Sequence, residues 1–146
     1  MSNDPETLPH PQVHRIKTSF AAQSLMETLG ATLEAVAHGT CRIAAPILPG
    51  SRQQQGFAHA GLTFAIGDSA AGYAALTTMS EGFEVVTAEM KINLLAPGVG
   101  DRLVAEGRVL TPGKRLIVTQ SDVYAEANGT RRHIATLLGT MVPVPV

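Results

Sequence analysis

The chain has 146 residues, enough for one ordinary core and too few for two. Apolar residues make up 45% of it and Asp, Glu, Lys and Arg 16%, a balance that excludes intrinsic disorder and coiled coils. The formal net charge of −1 supplies no broad basic field for DNA or RNA, and the single cysteine, Cys41, excludes an intrachain disulfide or a paired-cysteine metal site.

The N-terminus lacks the basic start, apolar run and cleavage site of a secretory signal. Its prolines, Pro5, Pro9 and Pro11, predict a flexible tail over residues 1–17, with one domain over residues 18–146. With one unpaired cysteine, a reducing cytoplasm is the expected location. His10 and His14 have i,i+4 spacing, but Pro11 between them disfavours a helix and no metal site is expected.

Ser19 is placed to cap a short helix carrying Ala22, Leu25, Met26 and Leu29, which Gly30 ends. Residues 31–45 show no helical stripe and stop at Pro46, which predicts one strand with Cys41 and Ile43 on one face and Arg42 on the other. Pro46, Pro49 and Gly50 then open a loop through Gln53, Gln54 and Gln55.

From Ala60 to about Met79 the chain is apolar around most of a helical circumference, as in a helix enclosed on nearly every side. It nearly has the length of a membrane span, but Asp68 would then lie mid-bilayer at about 2.5–3.5 kcal/mol. A buried helix with no membrane contact is the expectation. Next, Val86, Ala88, Met90, Ile92 and Leu94 alternate with Thr87, Glu89, Lys91 and Asn93, the pattern of a strand with one buried face. Further strands are predicted at 102–110, 115–125 and 131–142, joined by Thr111-Pro112-Gly113 and Asn128-Gly129 turns. The sum is an α+β domain in which an antiparallel β-sheet covers one long helix.

Asp68 is the only charged residue of that helix, and no Lys or Arg occurs between Arg52 and Lys91. Its helical neighbours include Ala65, Ala71 and Gly72, small enough for another molecule to approach. A carboxylate there can orient or deprotonate water or attack a carbonyl. It can equally be a structural group hydrogen-bonded to backbone or to a nearby hydroxyl. Chemistry at a carbonyl also needs donors for the oxyanion, and a helix start offers free N–H groups at Ala60 and Gly61. Ala60 and Asp68 are eight residues, or ~12 Å, apart along the axis. A catalytic Asp68 using this helix start therefore requires antiparallel helices from two subunits.

The run Gln53-Gln54-Gln55-Gly56-Phe57-Ala58-His59-Ala60-Gly61, the Asp68 that follows and the segment Val85 to Pro97 resemble the hotdog-fold acyl-CoA thioesterases of the phenylacetate-pathway (PaaI) type. The resemblance spans roughly residues 19 to 142. It implies the hotdog fold, a homodimer or a dimer of dimers forming a homotetramer, and active sites between subunits. It further implies Asp68 as nucleophile or general base, the Ala60 N–H polarising the thioester carbonyl, Gln53 as a polar ligand and Thr87 as an auxiliary hydrogen-bonder. At Ala60 the family usually has Gly, so the chain departs from the pattern by one methyl group.

His59 reads as a residue shaping the turn beside Gly61. Lys114 and Arg115 after one hairpin turn, and Arg131 and Arg132 at the start of the last strand, are candidates for the phosphates of coenzyme A, with exposed hairpin charges as the alternative. No cofactor is expected beyond coenzyme A as part of the substrate. The expected reaction is hydrolysis of an acyl-CoA. One rival is a hotdog dehydratase or hydratase acting on 3-hydroxyacyl thioesters, whose His-Phe-Pro and Asp-x-Asn-Pro-x-His segments are missing here. The other is a non-catalytic acyl-CoA-binding protein.

Overall fold

A computed structural model describes residues 6–146. Helix α1 (His10–Ala21) and the short α2 (Ser24–Thr28) precede a hairpin of β1 (Thr32–Ala37) and β2 (Thr40–Pro46). A 3₁₀ turn at Pro49–Ser51 leads to the long helix α3 (Ala60–Leu76), followed by β3 (Phe83–Leu94), β4 (Arg102–Thr111), β5 (Ile117–Ala127) and β6 (Thr130–Pro145). The six strands form one antiparallel sheet in the order β1-β2-β4-β5-β6-β3, curled around α3. This is the α+β arrangement expected of a hotdog fold.

The flexible tail expected through residue 17 is corrected over its second half. Pro11 falls in the first turn of α1, where its missing N–H breaks no helical bond. Ile16 is completely buried, Val13 and Phe20 pack against the core, and Gln12 Nε2 donates to the Thr77 carbonyl at 2.7 Å. Pro5 and the rest of residues 1–5 lie outside the described residues. Ser19 is consequently not a cap but lies inside α1. The chain turns at Ala22–Gln23, α2 buries Met26, and Gly30 ends the segment with φ +67°.

The single strand expected over 31–45 is two. His38-Gly39 makes a turn with Gly39 at φ +73°, so β1 folds back on β2 and pairs Val36 with Cys41. The turn at Asn128-Gly129 has positive φ at both residues, +50° and +76°, which matches the right-handed twist of the strands it joins.

Helix α3 carries the core. Ile66, Ala70, Ala71, Ala74 and Ala75 are fully buried, and their small size lets the sheet approach the helix backbone. The closest approach is at Gly107 of β4, where a Cβ would stand 2.4 Å from the Ala70 carbonyl carbon and oxygen. Glycine is required there to let strand and helix touch.

Strand β3 lies at the sheet edge, so among the described residues one side of its twelve residues has no strand beside it. The strict alternation expected along it fails at one place. The register with β6 shifts between Thr87 and Glu89, an added residue that reverses which side chains face inward. Before the bulge Val85 and Thr87 turn toward α3 and Val86 is 50% exposed. After it Met90 and Ile92 pack on the core. The inward, half-buried set is thus Val85, Thr87, Met90 and Ile92, rather than Val86, Ala88, Met90, Ile92 and Leu94, the last of which is exposed.

Candidate active site

Asp68 lies in the third turn of α3 on the helix face that the sheet leaves half open. Thr87, turned inward by the β3 bulge, donates from Oγ1 to Asp68 Oδ1 at 2.8 Å, and the same oxygen lies 3.3 Å from the Met141 sulfur. Burial pushes the Asp68 carboxyl above its ordinary range, and the Thr87 hydrogen bond partly offsets this by favouring the ionised form. Asp68 borders a cavity of about 200 Å³ lined also by Gln23, Ser69, Gly72, Tyr73 and Thr87. No lysine or arginine lines that cavity. A half-buried carboxylate with a raised pKa and no cationic partner is a competent proton acceptor.

The start of α3 is organised by His59. Its Nδ1 accepts the Gly61 N–H at 2.7 Å, which places the imidazole proton on Nε2, and its backbone N–H donates to the Ser51 carbonyl at 3.0 Å. A Cβ at Gly61 would meet that Nδ1 at 2.9 Å, so the cap excludes larger residues there. Leu62 and Thr63 donate to the His59 carbonyl at 3.0 and 3.4 Å. Among the described residues this leaves the Ala60 N–H without an acceptor, at the positive end of α3. A cavity of about 430 Å³ opens beside it, lined also by Gln53, Phe57, Thr63, Leu95 and Ile134.

Gln53 closes the loop that leads into the helix. Its backbone N–H donates to the Phe57 carbonyl at 2.8 Å, Gly56 takes φ +88°, and its side-chain oxygen accepts from the Gln55 and Phe57 N–H groups. Its Nε2 lies 3.3 Å from Gln55 Oε1, which leaves a second N–H for a ligand in the Ala60 cavity. Gln53 therefore shapes the loop as well as lining the cavity.

Ala60 with Gln53, and Asp68 with Thr87, thus belong to two cavities that share no lining residue. The structure brings the residues together pairwise and keeps the pairs apart within one chain.

The basic candidates are also divided. Lys114 borders a cavity with Met79 and Phe83, beyond the C-terminal end of α3, with Arg115 next to it. Arg131 and Arg132 lie at the opposite end, two to three residues from Ile134 of the Ala60 cavity. Arg131 is engaged by Glu106 and Glu126 and stacks 3.6 Å from the centre of the Tyr124 ring. Arg132 has no ion-pair partner among the described residues.

Three polar groups near Asp68 escaped the sequence reading. Gln23 Nε2 donates to the Tyr73 hydroxyl at 2.6 Å, and that hydroxyl lies 3.1 Å from Ser19 Oγ. Tyr73 at least sits in α3 near Asp68 in sequence; nothing local in the sequence places Ser19 or Gln23 there. A second carboxylate cluster, Asp122 with Arg108 at 2.9 Å, Thr136 at 2.8 Å and His133 at 3.1 Å, lies on the outer sheet face. Burial opposes Asp122 ionisation, but hydrogen bonds from Thr136, Arg108 and Gln120 hold its pKa below the ordinary value. Cys41 is buried, and desolvation pushes its thiol up to about 12, which makes it a packing residue rather than a nucleophile. No group of His, Cys, Asp and Glu suited to a metal occurs among the described residues, and no helix there is long and apolar enough to cross a membrane.

Residues 55–131 match the family model of the thioesterase superfamily. The fold superposes on a thioesterase family protein from Silicibacter pomeroyi with a TM-score of 0.90 and 36% identity, over 92% of this chain and 99% of that one. The PaaI protein of the E. coli phenylacetic acid degradation operon superposes with a TM-score of 0.83 at 20% identity, covering 94% and 96% of the two chains. A Bacillus halodurans protein whose structure contains CoA gives 0.75 at 22% identity, over 92% and 84%. In sequence, a Saccharolobus solfataricus protein named as an esterase is 38% identical over 87 residues, 60% of this chain. The match spans 55% of the length of that curated relative.

Proposed function

Because the chain belongs to the thioesterase superfamily, we propose that it hydrolyses an acyl-CoA, with Asp68 of one subunit and the Ala60 N–H of another forming each active site. The observation that carries this reading is the Thr87–Asp68 hydrogen bond, which orients a half-buried carboxylate that has no ion-pair partner among the described residues. The carboxylate takes a proton from water as the water attacks the thioester carbonyl, or attacks that carbon itself. The Ala60 N–H and the α3 dipole stabilise the oxyanion, and the C–S bond breaks to release the thiolate of coenzyme A; in the first route the proton held by Asp68 passes to that thiolate or to solvent, which restores the carboxylate. Where Asp68 attacks, water then cleaves the mixed anhydride to the free acid and restores the carboxylate. Neither route needs a cofactor beyond the coenzyme A carried by the substrate.

Pairing of two chains follows from the separation of the two cavities. Antiparallel α3 helices would bring Asp68 of one subunit toward Ala60 of the other, and the unpaired β3 edge offers main-chain groups to a second β3. The active species is accordingly a homodimer or a dimer of dimers. CoA as the carrier is supported by the CoA-containing Bacillus halodurans relative. Arg132, whose charge no carboxylate among the described residues engages, suits the CoA phosphates better than Arg131; Lys114 and Arg115 remain candidates from the other end of α3. A reducing cytoplasmic setting suits the unpaired Cys41.

The test is release of free thiol from a panel of acyl-CoAs by the purified oligomer. Hydrolysis of at least one substrate is expected. No release from any of them by the folded protein, or full activity of a strict monomer, would overturn the proposal.

The acid limb of the rate profile follows from the Asp68 environment. Activity should rise with pH through a pKa above the ordinary carboxylate range, because the ionised form is the reactive one. Thr87→Val removes a hydrogen bond that favours this form, so the limb should move to higher pH and kcat should fall by about tenfold. A pH–kcat profile of the two proteins measures both; a limb that stays in place shows that Thr87 does not govern Asp68.

A further inference from the structure

The polar network beside Asp68 is unusual for a chamber that would receive an acyl chain. Gln23 comes from the turn between α1 and α2, Ser19 from α1 and Tyr73 from α3, and all three line the same cavity as Asp68. Tyr73 is only 4% exposed, and its ring meets Phe20 edge to face at 6.1 Å, so the hydroxyl is held at a fixed place.

The hydrogen-bond inventory leaves this wall unsaturated. Gln23 donates one Nε2 proton to the Tyr73 oxygen, and its Oε1 has only a distant contact, 3.5 Å, from Ser69 Oγ. If the Tyr73 proton goes to Ser19 Oγ, the Ser19 proton has no acceptor among the described residues. If Ser19 donates to Tyr73 instead, the Tyr73 proton is the one left over, so in either case the wall retains the second Gln23 N–H and one hydroxyl proton as donors and Gln23 Oε1 as an acceptor. An aliphatic terminus pressed against these groups would remove them from water with nothing in return, whereas a hydroxyl or a carbonyl would bond to them.

The charges of the chamber restrict the choice further. Asp68 and Glu84 both line it, and Arg15, which is not part of the lining, pairs with Glu84 at 3.6 Å. An anionic acyl terminus would meet two carboxylates. Length is bounded as well. From Asp68 to Tyr73 is five residues, ~7.5 Å along the helix, which an extended chain crosses in about five or six bonds of ~1.5 Å. The cavity of about 200 Å³ has room for a comparably small group.

We infer that Ser19, Gln23 and Tyr73 form the distal wall of the acyl site and select acyl groups that carry a neutral hydrogen-bonding group about six atoms from the thioester carbonyl. This rests on the reading of Asp68 as the hydrolytic carboxylate. It makes α1 and α2 part of substrate recognition rather than a cover over the core alone.

Thiol release from 6-hydroxyhexanoyl-CoA, hexanoyl-CoA and adipoyl-CoA tests it, together with binding of the three corresponding non-hydrolysable thioethers. The wild-type protein should show kcat/KM about tenfold higher for the hydroxylated chain than for hexanoyl-CoA, with adipoyl-CoA the poorest. Dissociation constants of the thioethers should follow the same order. In the double variant Gln23→Leu, Tyr73→Phe the ratio between hydroxylated and plain chains should fall to near one. That ratio is internal to each preparation, so partial misfolding does not alter it. A wild-type ratio near one, or an unchanged ratio in the variant, overturns the wall as a selector while hydrolysis stands. Absence of turnover with thioether selectivity intact overturns hydrolysis and leaves the wall.

Discussion

Asp68→Asn should lower kcat for acyl-CoA hydrolysis about a thousandfold while leaving the oligomer and its melting temperature intact or slightly improved. The substitution is nearly isosteric, and the amide oxygen still accepts from Thr87 Oγ1, now 2.8 Å from Oδ1. What it removes is the charge, hence both basicity and nucleophilicity. The stability sign follows from the direction of the pKa shift. Burial raises the folded pKa of Asp68 above its unfolded value, so the folded state binds the proton more tightly. This residue therefore favours the fold at low pH and opposes it once pH rises through the unfolded and then the folded pKa. At neutral pH a neutral Asn relieves that opposition. Loss of activity with unchanged or raised thermal stability is thus the signature of a carboxylate kept for chemistry, whereas a structural carboxylate would lose stability when replaced. A kcat within tenfold of wild type would remove Asp68 from the mechanism.

The parts of the molecule that were legible in the sequence are those in which local signals agree. Helix α3 announces itself by a run that is apolar around a helical circumference with Asp68 as its one charge, and the β5–β6 hairpin by Asn128-Gly129 between alternating segments. The misreadings come from geometry that alternation does not encode. The β3 bulge adds one residue without any Gly or Pro to mark it, and so places Val86 outside and Thr87 inside, the reverse of the periodic reading. The resemblance implies an auxiliary hydrogen-bonding role for Thr87, and the bulge is the physical reason it meets Asp68. Helix α1 is hidden in the sequence because proline breaks a helix everywhere but its first turn, where Pro11 lies, and because the burial of Ile16 is a tertiary effect. The same reason hid Gln23 and Ser19, 45 and 49 residues before Asp68 in the chain. Asp68 itself was visible because a lone charge in an apolar helix conflicts with its surroundings, and such conflicts gather at functional sites.

Ala60→Pro should lower kcat by about 10²–10³ with the fold retained, and it separates the helix start from every other feature of the site. Proline is well suited to the first helical position, where its missing N–H breaks no intrahelical bond. The residue before it, His59, already has φ −65° and ψ 142°, the extended conformation that a following proline favours. The His59 cap on the Gly61 N–H is untouched. The one group lost is the Ala60 N–H, the proposed oxyanion donor. Ala60→Gly keeps that donor and removes only the methyl group, so its rate should stay within a few fold of wild type, and a loss as large as that of Ala60→Pro would locate the effect in the loop instead. The two variants together decide whether the site is shared between subunits. In a dimer of one Asp68→Asn chain and one Ala60→Pro chain, a site built within each chain is defective in both. A site built across chains leaves one of the two intact, since Asp68 of the proline chain faces Ala60 of the asparagine chain. Random reassortment of equal amounts, after mild denaturation and refolding, should then restore about a quarter of wild-type activity from two nearly inactive preparations. No recovery from a mixture shown to contain the mixed dimer would mean that Asp68 and Ala60 do not act across the subunit boundary.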